Sequence, residues 1–114
     1  MTSEKKNAAE PVAKLKTTIG LAAKAGKVVA GTPLICESLR AKGKGKPSVV
    51  LLGNDCSENT LKKLTDKCAF YEVRRVILPI SMSELSDAVG KRSVVAAIAI
   101  TDEGLAHAVI SKIE

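Results

Sequence analysis

Few residues of this chain have the types and spacing that catalysis or metal binding requires. Cys36, Cys56 and Cys68 form no Cys-x-x-Cys pair, and His107 is the only histidine. A structural zinc site takes four thiolate or imidazole ligands, so neither a zinc site nor a disulfide framework is expected. We expect reduced thiols, no metal and no cofactor, with Cys36 packed as a small hydrophobic residue.

The acidic and hydroxyl side chains do not form a catalytic set either. His107 lies four residues before Ser111 on an apolar helical pattern, which is typical of an exposed helix residue. Asp102 and Glu103 are adjacent, and charges in that position stabilise a helix start. Asp55 follows an apolar strand, where helix capping is favoured over a catalytic loop. The sequence therefore predicts a protein without enzymatic activity.

The charge balance points to a polyanionic partner. The chain of 114 residues has a net charge of +6, and only 2% of its residues are aromatic. Few aromatic rings are available for stacking bases, so RNA would be bound through backbone and shape contacts. Basic residues lie in two loops: Lys42, Lys44 and Lys46 alternate with glycines, and Lys91 and Arg92 precede an apolar run. For the first cluster a solvated loop is favoured over an RNA contact, and for the second cluster the two interpretations are equally favoured.

Periodicity and capping signals predict five helices that alternate with four strands. Pro11 indicates a helix start, Gly26 a helix end, and Thr32 an N-cap followed by proline. Capping-box spacing, with an acidic residue three positions after the cap, begins at Asp55 and at Ser81. The predicted helices span residues 11–26, 32–41, 55–71, 81–90 and 102–114, the last one capped by Thr101 or Asp102. The predicted strands span residues 27–31, 48–53, 73–79 and 93–101.

This alternation predicts an α/β fold, a three-layer α/β/α sandwich around a four-stranded mixed or mostly parallel sheet. Residues 11–114 are expected to form a single domain, and residues 1–10 a flexible N-terminal tail. The N-terminus has no apolar segment of the kind that a secretory signal requires, and no apolar run is long enough to span a membrane. We therefore expect a cytoplasmic monomer that does not bind membranes.

Three strand-to-helix turns, at residues 31–33, 54–57 and 80–83, are candidates for a binding site. In α/β sheets ligands gather where strands end and helices begin, and each helix start offers N–H donors to a phosphate. If the strands are parallel, the three turns lie at one edge of the sheet. Lys91 and Arg92 return to that edge after a short helix, which predicts an RNA-binding surface.

Four segments of the sequence resemble the L7Ae/L30e superfamily of ribosomal proteins, most closely its small bacterial members. They are GLAAKAGKVVAGTPLICESLR, VVLLGNDCSENTLKKLTDKC, ELSDAVGKR and VVAAIAITDEG, and the resemblance extends over residues 12–112. The resemblance implies an α/β/α sandwich that binds kink-turn RNA without catalysis. The predicted RNA-binding residues are Lys27, Gly31, Thr32, Pro33, Asp55, Ser57, Ser81, Met82, Lys91 and Arg92.

The chain departs from the kink-turn readers of this superfamily at a few positions. Those proteins have polar residues where this chain has Pro33 and Leu34, and lysines where it has Glu37 and Met82. We therefore expect weak affinity for a standard kink-turn. The expected partner is a structured RNA such as ribosomal RNA, within a ribonucleoprotein or the ribosome. The alternative is a scaffold module that has lost RNA recognition and uses Pro33, Leu34 and Met82 to bind a protein.

Overall fold

The computed structural model describes residues 2–41, 43 and 45–113, and for residues 2–11 it describes the backbone alone. Helices and strands alternate along the chain, as the sequence predicts. The helices are α1 (Thr2–Lys24), α2 (Thr32–Leu39), α3 (Glu58–Phe70), α4 (Met82–Ala88) and α5 (Glu103–Ser111). The strands are β1 (Val28–Ala30), β2 (Val49–Leu52), β3 (Arg74–Ile77) and β4 (Ala97–Ile100).

The four strands form one mixed sheet in the order β1-β4-β2-β3. β2 and β3 pair in parallel, whereas β4 is antiparallel to both of its neighbours, β1 and β2. Strands β1, β2 and β3 therefore all point in the same direction. Their carboxyl ends meet the start of β4 at one edge of the sheet, which we call the upper edge. The predicted four-stranded sheet is confirmed, and of its two predicted forms, mixed or mostly parallel, it is the mixed one.

Helices cover both faces of the sheet. Successive strand residues point to opposite sides, so an apolar strand contributes side chains to a core on each face. In β2, Val49 and Leu51 face the core formed with α1, α4 and α5, whereas Val50 and Leu52 face the core formed with α2 and α3. All four of these side chains are fully buried. The predicted three-layer α/β/α sandwich is therefore confirmed.

Helix α1 begins earlier than the sequence predicts. The prediction placed its start at Pro11, but the helix extends from Thr2 to Lys24. Pro11 lies in its interior, where proline provides no N–H for a helical hydrogen bond. The residues before it are rich in Glu, Lys and Ala, which have high helix propensity and extend the helix in the amino-terminal direction. Mobility of residues 1–10 stays a prediction.

Two predicted helix caps are wrong by one or two residues. The N-cap of α2 is Gly31, with φ of 96°, and Thr32 is already the first helical residue. The N-cap of α3 is Ser57, whose hydroxyl accepts a hydrogen bond from the backbone N–H of Thr60 at 3.2 Å. Asp55 therefore does not cap α3. The predicted capping box at Ser81 and the cap of α5 by Asp102 are both present.

The three thiols are free, and Cys36 and Cys68 are buried in the core beneath α2 and α3. Burial raises the pKa of the Cys68 thiol, with Arg75 opposing that shift. Across the part of the chain that the structure describes, no helix is both long enough and apolar enough to cross a membrane.

Candidate nucleic-acid interface

Backbone hydrogen bonds join the turns at the upper edge into one continuous surface. The N–H groups of Gly31 and Gly53, which directly follow β1 and β2, donate to the carbonyls of Ala97 and Ala96, each at 3.0 Å. One residue further, Asn54 donates to the carbonyl of Ile80 at 2.8 Å. The three predicted strand-to-helix turns therefore lie side by side, with the start of β4 between the first two.

The three helix starts at this edge differ in how their N–H groups are satisfied. In α3 and α4, Ser57 and Ser81 accept hydrogen bonds from the third helical residue. In α2 the cap is a glycine, and no side chain caps the helix. The second residue of α2 is proline, so its open donors are the N–H groups of Thr32 and Leu34. Of the three, the start of α2 is the one at which no side chain accepts a hydrogen bond from a helical N–H group.

Asp55 connects two of the turns. Its Oδ1 atom accepts a hydrogen bond from the backbone N–H of Met82, the first residue of α4, at 2.7 Å. The two turns also approach closely at Gly53, because a Cβ atom there would lie 2.7 Å from the nitrogen of Met82. Asp55 therefore caps the neighbouring helix, and Gly53 leaves room for that contact.

A second contact fixes the start of α4 from the opposite side. The N–H of Ser81 donates to Oε1 of Glu84 at 3.1 Å, and Nζ of Lys16 in α1 lies 3.5 Å from Oε2. The hydrogen bond from Ser81, followed by the charge of Lys16, holds the pKa of the Glu84 carboxyl below its usual value. The resulting stabilisation is present above the ordinary glutamate pKa and is lost as the pH falls through the lowered value.

The loop that carries Lys91 and Arg92 is anchored by Ser86. Ser86 is 2% exposed, and its hydroxyl donates to the carbonyl of Met82 at 2.7 Å and accepts from the N–H of Val95 at 2.8 Å. Its carbonyl accepts from the N–H of Lys91 at 2.9 Å. Both ends of the segment 91–95 are therefore bound to α4, and the exposed side chains of Lys91 and Arg92 extend from a fixed backbone.

A groove of about 590 Å³ extends along β1, and we call it the β1 groove. Strand β1 forms its floor, Leu34 and Glu37 of α2 line one wall, and Val89 and Lys91 line the other. Leu34 is 54% exposed. The groove therefore combines a cation and a carboxylate on facing walls with apolar surface between them.

The structure places most of the predicted site residues at the upper edge, in two groups. Thr32 and Pro33 follow Gly31 on one side, whereas Asp55, Ser57, Ser81 and Met82 gather beyond β4. Lys91 and Arg92 lie on the loop that leads into β4. Lys27 precedes β1, and its carbonyl accepts from the N–H of Thr101 after β4, so it lies at the opposite end of the sheet. Lys42 and Lys44 lie outside the described residues.

Sequence reasoning missed Gly53 and Ser86, which position the site without facing solvent. Glycine directly after an apolar strand is a signal of close backbone approach, and it could have indicated Gly53. Ser86 gives no such signal, because its partner Val95 lies nine residues away and serines are common in exposed helices. Only the packing of the loop against α4 makes it a buried anchor.

The sequence that forms this sandwich matches a known class of proteins. The chain belongs to the ribosomal protein L7Ae/L30e/S12e/Gadd45 family, whose model matches residues 13–110. The match includes all of the upper edge, and it confirms the resemblance seen in the sequence.

Two curated relatives carry the same name, RNA-binding protein YlxQ. The protein from Bacillus subtilis (strain 168) is 38% identical over 96 residues, which cover 84% of this chain and 91% of the relative. The protein from Enterococcus faecium is 39% identical over 93 residues, which cover 82% and 84% of the two chains. This chain is therefore similar to the YlxQ proteins over nearly their whole length.

Solved structures share the fold. A protein of unknown function from Bacillus halodurans C superposes with a TM-score of 0.77 at 27% identity, over 88% of this chain and 96% of that one. The Giardia lamblia 15.5kD RNA binding protein superposes with a TM-score of 0.72 at 17% identity, over 91% of this chain and 85% of that one. At such low identity the second likeness shows the fold alone.

The close contact at Gly53 makes a testable prediction. Gly53→Ala should lower the free energy of unfolding by about 1–3 kcal/mol, because the added methyl group overlaps the backbone of Met82. The Met82 amide resonance should also shift as its bond to Asp55 lengthens. Chemical denaturation and amide NMR measure the two effects. Gly104→Ala adds the same methyl group 3.3 Å from Oδ1 of Asp102, and a loss as large there would contradict the prediction.

The two hydrogen bonds of the Ser86 hydroxyl lead to a second testable prediction. Ser86→Ala leaves the N–H of Val95 without its acceptor and should lower the free energy of unfolding by about 1–3 kcal/mol. Hydrogen exchange at the Val95 amide should become faster, which amide NMR detects residue by residue. Ser83→Ala, at an exposed position of the same helix, should change stability by less than about 0.5 kcal/mol. Unchanged exchange at Val95 would show that the hydroxyl does not hold the loop.

Proposed function

We propose that this protein binds structured RNA at the upper edge and along the β1 groove, without chemically changing it. Membership of the L7Ae/L30e/S12e/Gadd45 family supports this, as do the names of both curated relatives. The net charge of +6 favours a polyanionic ligand. The observation that carries the proposal is the family match across the whole edge, where an open helix start lies beside two exposed cations.

Each part of the edge has a role in this proposal. The N–H groups of Thr32 and Leu34 bind a phosphate, since the start of a helix favours negative charge. Lys91 and Arg92 bind further phosphates from the loop that Ser86 holds. The left-handed φ of Gly31 lets the chain turn from β1 into α2 at the ligand, which a residue with a Cβ atom rarely does. These contacts position RNA by its shape and its backbone.

The class of RNA and the state of the protein are also part of this proposal. A kink-turn, in ribosomal RNA or another structured RNA, is the candidate ligand, and a cytoplasmic monomer is the candidate state. The scaffold alternative is not favoured, because both curated relatives are named RNA-binding proteins. Met82 is also half-buried in the structure, and its backbone is bound to Asp55, so it does not provide an exposed apolar centre.

The basic loop provides the test of this function. Each phosphate that Lys or Arg neutralises releases counterions, so affinity falls with salt by about 0.7–0.9 log units per contact. Lys91→Gln combined with Arg92→Gln should weaken binding to a kink-turn RNA and flatten the salt slope by roughly one to two units. Fluorescence anisotropy at several salt concentrations measures both quantities on the same samples.

The matched control removes the same charges elsewhere. Lys62 and Arg40 are exposed, and neither of them lines the β1 groove or belongs to the basic loop. Lys62→Gln combined with Arg40→Gln should leave the salt slope nearly unchanged. Equal losses for the two double variants would mean that the protein attracts polyanions without a defined site, and that outcome would overturn the proposal.

Glu37 makes a further prediction. Its carboxylate lines the β1 groove opposite Lys91, so it should repel a phosphate bound there. Glu37→Lys should therefore increase affinity for a kink-turn RNA by several-fold, an effect that salt should diminish. Glu103→Lys makes the same charge change at the start of α5, at the other end of the sheet, and should have a smaller effect. If Glu37→Lys weakens binding, the carboxylate contacts the RNA as an acceptor instead.

A further inference from the structure

The chain has two aromatic residues, Phe70 and Tyr71, and they are adjacent in the sequence and on the surface. Phe70, the last residue of α3, is 78% exposed, which is the largest value among the exposed large hydrophobic side chains. The two rings meet edge to face, with centroids 4.9 Å apart and planes at 83°. Tyr71 is half-buried and packs against the core beneath α2 and α3, whereas Phe70 leaves its ring faces without an aromatic partner beyond Tyr71.

Two cations flank these rings. A cleft of about 400 Å³ is lined by Lys63, Asp66, Lys67, Phe70 and Tyr71, and we call it the aromatic cleft. The first four of these residues recur at spacings of three and four along α3, so they share one helix face. Asp66 pairs with Lys62 at 3.0 Å, which offsets its charge. Among the described residues neither Lys63 nor Lys67 forms an ion pair, so both can accept an anionic partner.

The backbone after α3 fixes the position of the rings. Glu72 has φ of 57°, in the left-handed region that residues with a Cβ atom rarely adopt. The N–H of Val73 donates to the carbonyl of Cys68 at 2.8 Å, and that of Glu72 to the carbonyl of Ala69 at 3.3 Å. Such bonds close the end of a helix. The backbone that carries the aromatic pair is therefore closed by hydrogen bonds to the last turn of α3.

We propose that the aromatic cleft binds unpaired nucleotides of a single-stranded nucleic acid. A base stacks on the ring of Phe70, and Lys63 and Lys67 bind the flanking phosphates. Stacking platforms combined with cations are the usual means of binding single strands, and every base has a π-face. A protein partner fits less well, because lysine is depleted in the cores of protein interfaces.

This second site is separate from the upper edge. Helix α3 begins at that edge and has 13 residues, which places Phe70 about 20 Å away along the helix axis. The two sites also use different chemistry. The upper edge offers backbone N–H groups to a structured RNA, whereas the aromatic cleft offers a ring and two cations to an unpaired strand.

Tyr71 provides a built-in reporter for the test. It is the only tyrosine and the chain has no tryptophan, so tyrosine emission comes from this cleft alone. Titration with a nine-nucleotide oligouridylate should change that emission in a saturable way. A parallel titration with oligodeoxythymidylate distinguishes RNA from DNA as the source of the strand. Equal affinities would show that the 2′-hydroxyl group is not read.

Phe70→Leu is the decisive variant, because it removes the ring and retains apolar bulk at an exposed position. It should weaken oligonucleotide binding at least about fivefold with little change in thermal stability. Lys63→Gln combined with Lys67→Gln should flatten the salt slope by about 1.4 units. Lys24→Gln combined with Arg40→Gln removes equal charge at other sites and should leave the slope nearly unchanged.

Several outcomes would overturn the proposal. One is a tyrosine emission that does not change when the oligonucleotide is added. A second is equal affinity of Phe70→Leu and the unaltered protein for the oligonucleotide. A third is a polyglutamate peptide that changes the emission as much as the oligonucleotide does. Self-association that Phe70→Leu abolishes, measured by sedimentation, would instead assign the cleft to a second copy of the chain. Lys91→Gln with Arg92→Gln should leave oligonucleotide binding here intact. A failure at the upper edge is thereby distinguishable from a failure at the cleft.

Discussion

The antiparallel placement of β4 between β1 and β2 is the constraint on which the rest of the structure depends. Because β4 runs against its neighbours, it begins where they end, and the carbonyls of Ala96, just before β4, and of Ala97, its first residue, accept hydrogen bonds from Gly53 and Gly31. Those two bonds bring the starts of α2 and α3 together on either side of β4. They also place the basic loop before β4 at the same edge. A fully parallel sheet would carry that loop to the opposite end.

The fold was predictable from the sequence because its signals are local. Apolar runs such as the one that forms β2 identify buried strands, and the capping box at Ser81 identifies a helix start. Strand order and the direction of β4 were not predictable, since they depend on pairing between residues far apart, such as Val28 with Ile100. The early start of α1 has a different cause: Pro11 is a signal for a helix start, but the helix propensity of the residues before it extends α1 to Thr2.

The candidate site was predictable in outline and not in detail. The gathering of three strand-to-helix turns at one edge follows from the common direction of β1, β2 and β3. The role of Asp55 was not predictable from the sequence. An aspartate can cap its own helix or accept a hydrogen bond from a residue far along the chain, and here the partner is Met82, 27 residues away. Nor did the difference among the helix starts follow. Ser57 and Ser81 each provide a side-chain cap for their own helix, and only the folded structure shows that α2 begins at Gly31 without such a cap.

The uncapped start of α2 and the residues that line the β1 groove together determine how favourable this wall is for an anion. Pro33 removes one N–H donor from a helix start that has no side-chain cap, so fewer donors remain for a phosphate than an ordinary helix provides. Glu37, one turn further along, adds negative charge on the same wall. Both features make the start of α2 less favourable for an anion, whereas Lys91 places positive charge across the groove, next to Arg92 in the sequence. Those two cations depend on a backbone that Ser86 ties to α4. The proposed recognition at this edge therefore involves the position of α4, whose start is bound by Asp55 and Glu84, and not α2 alone.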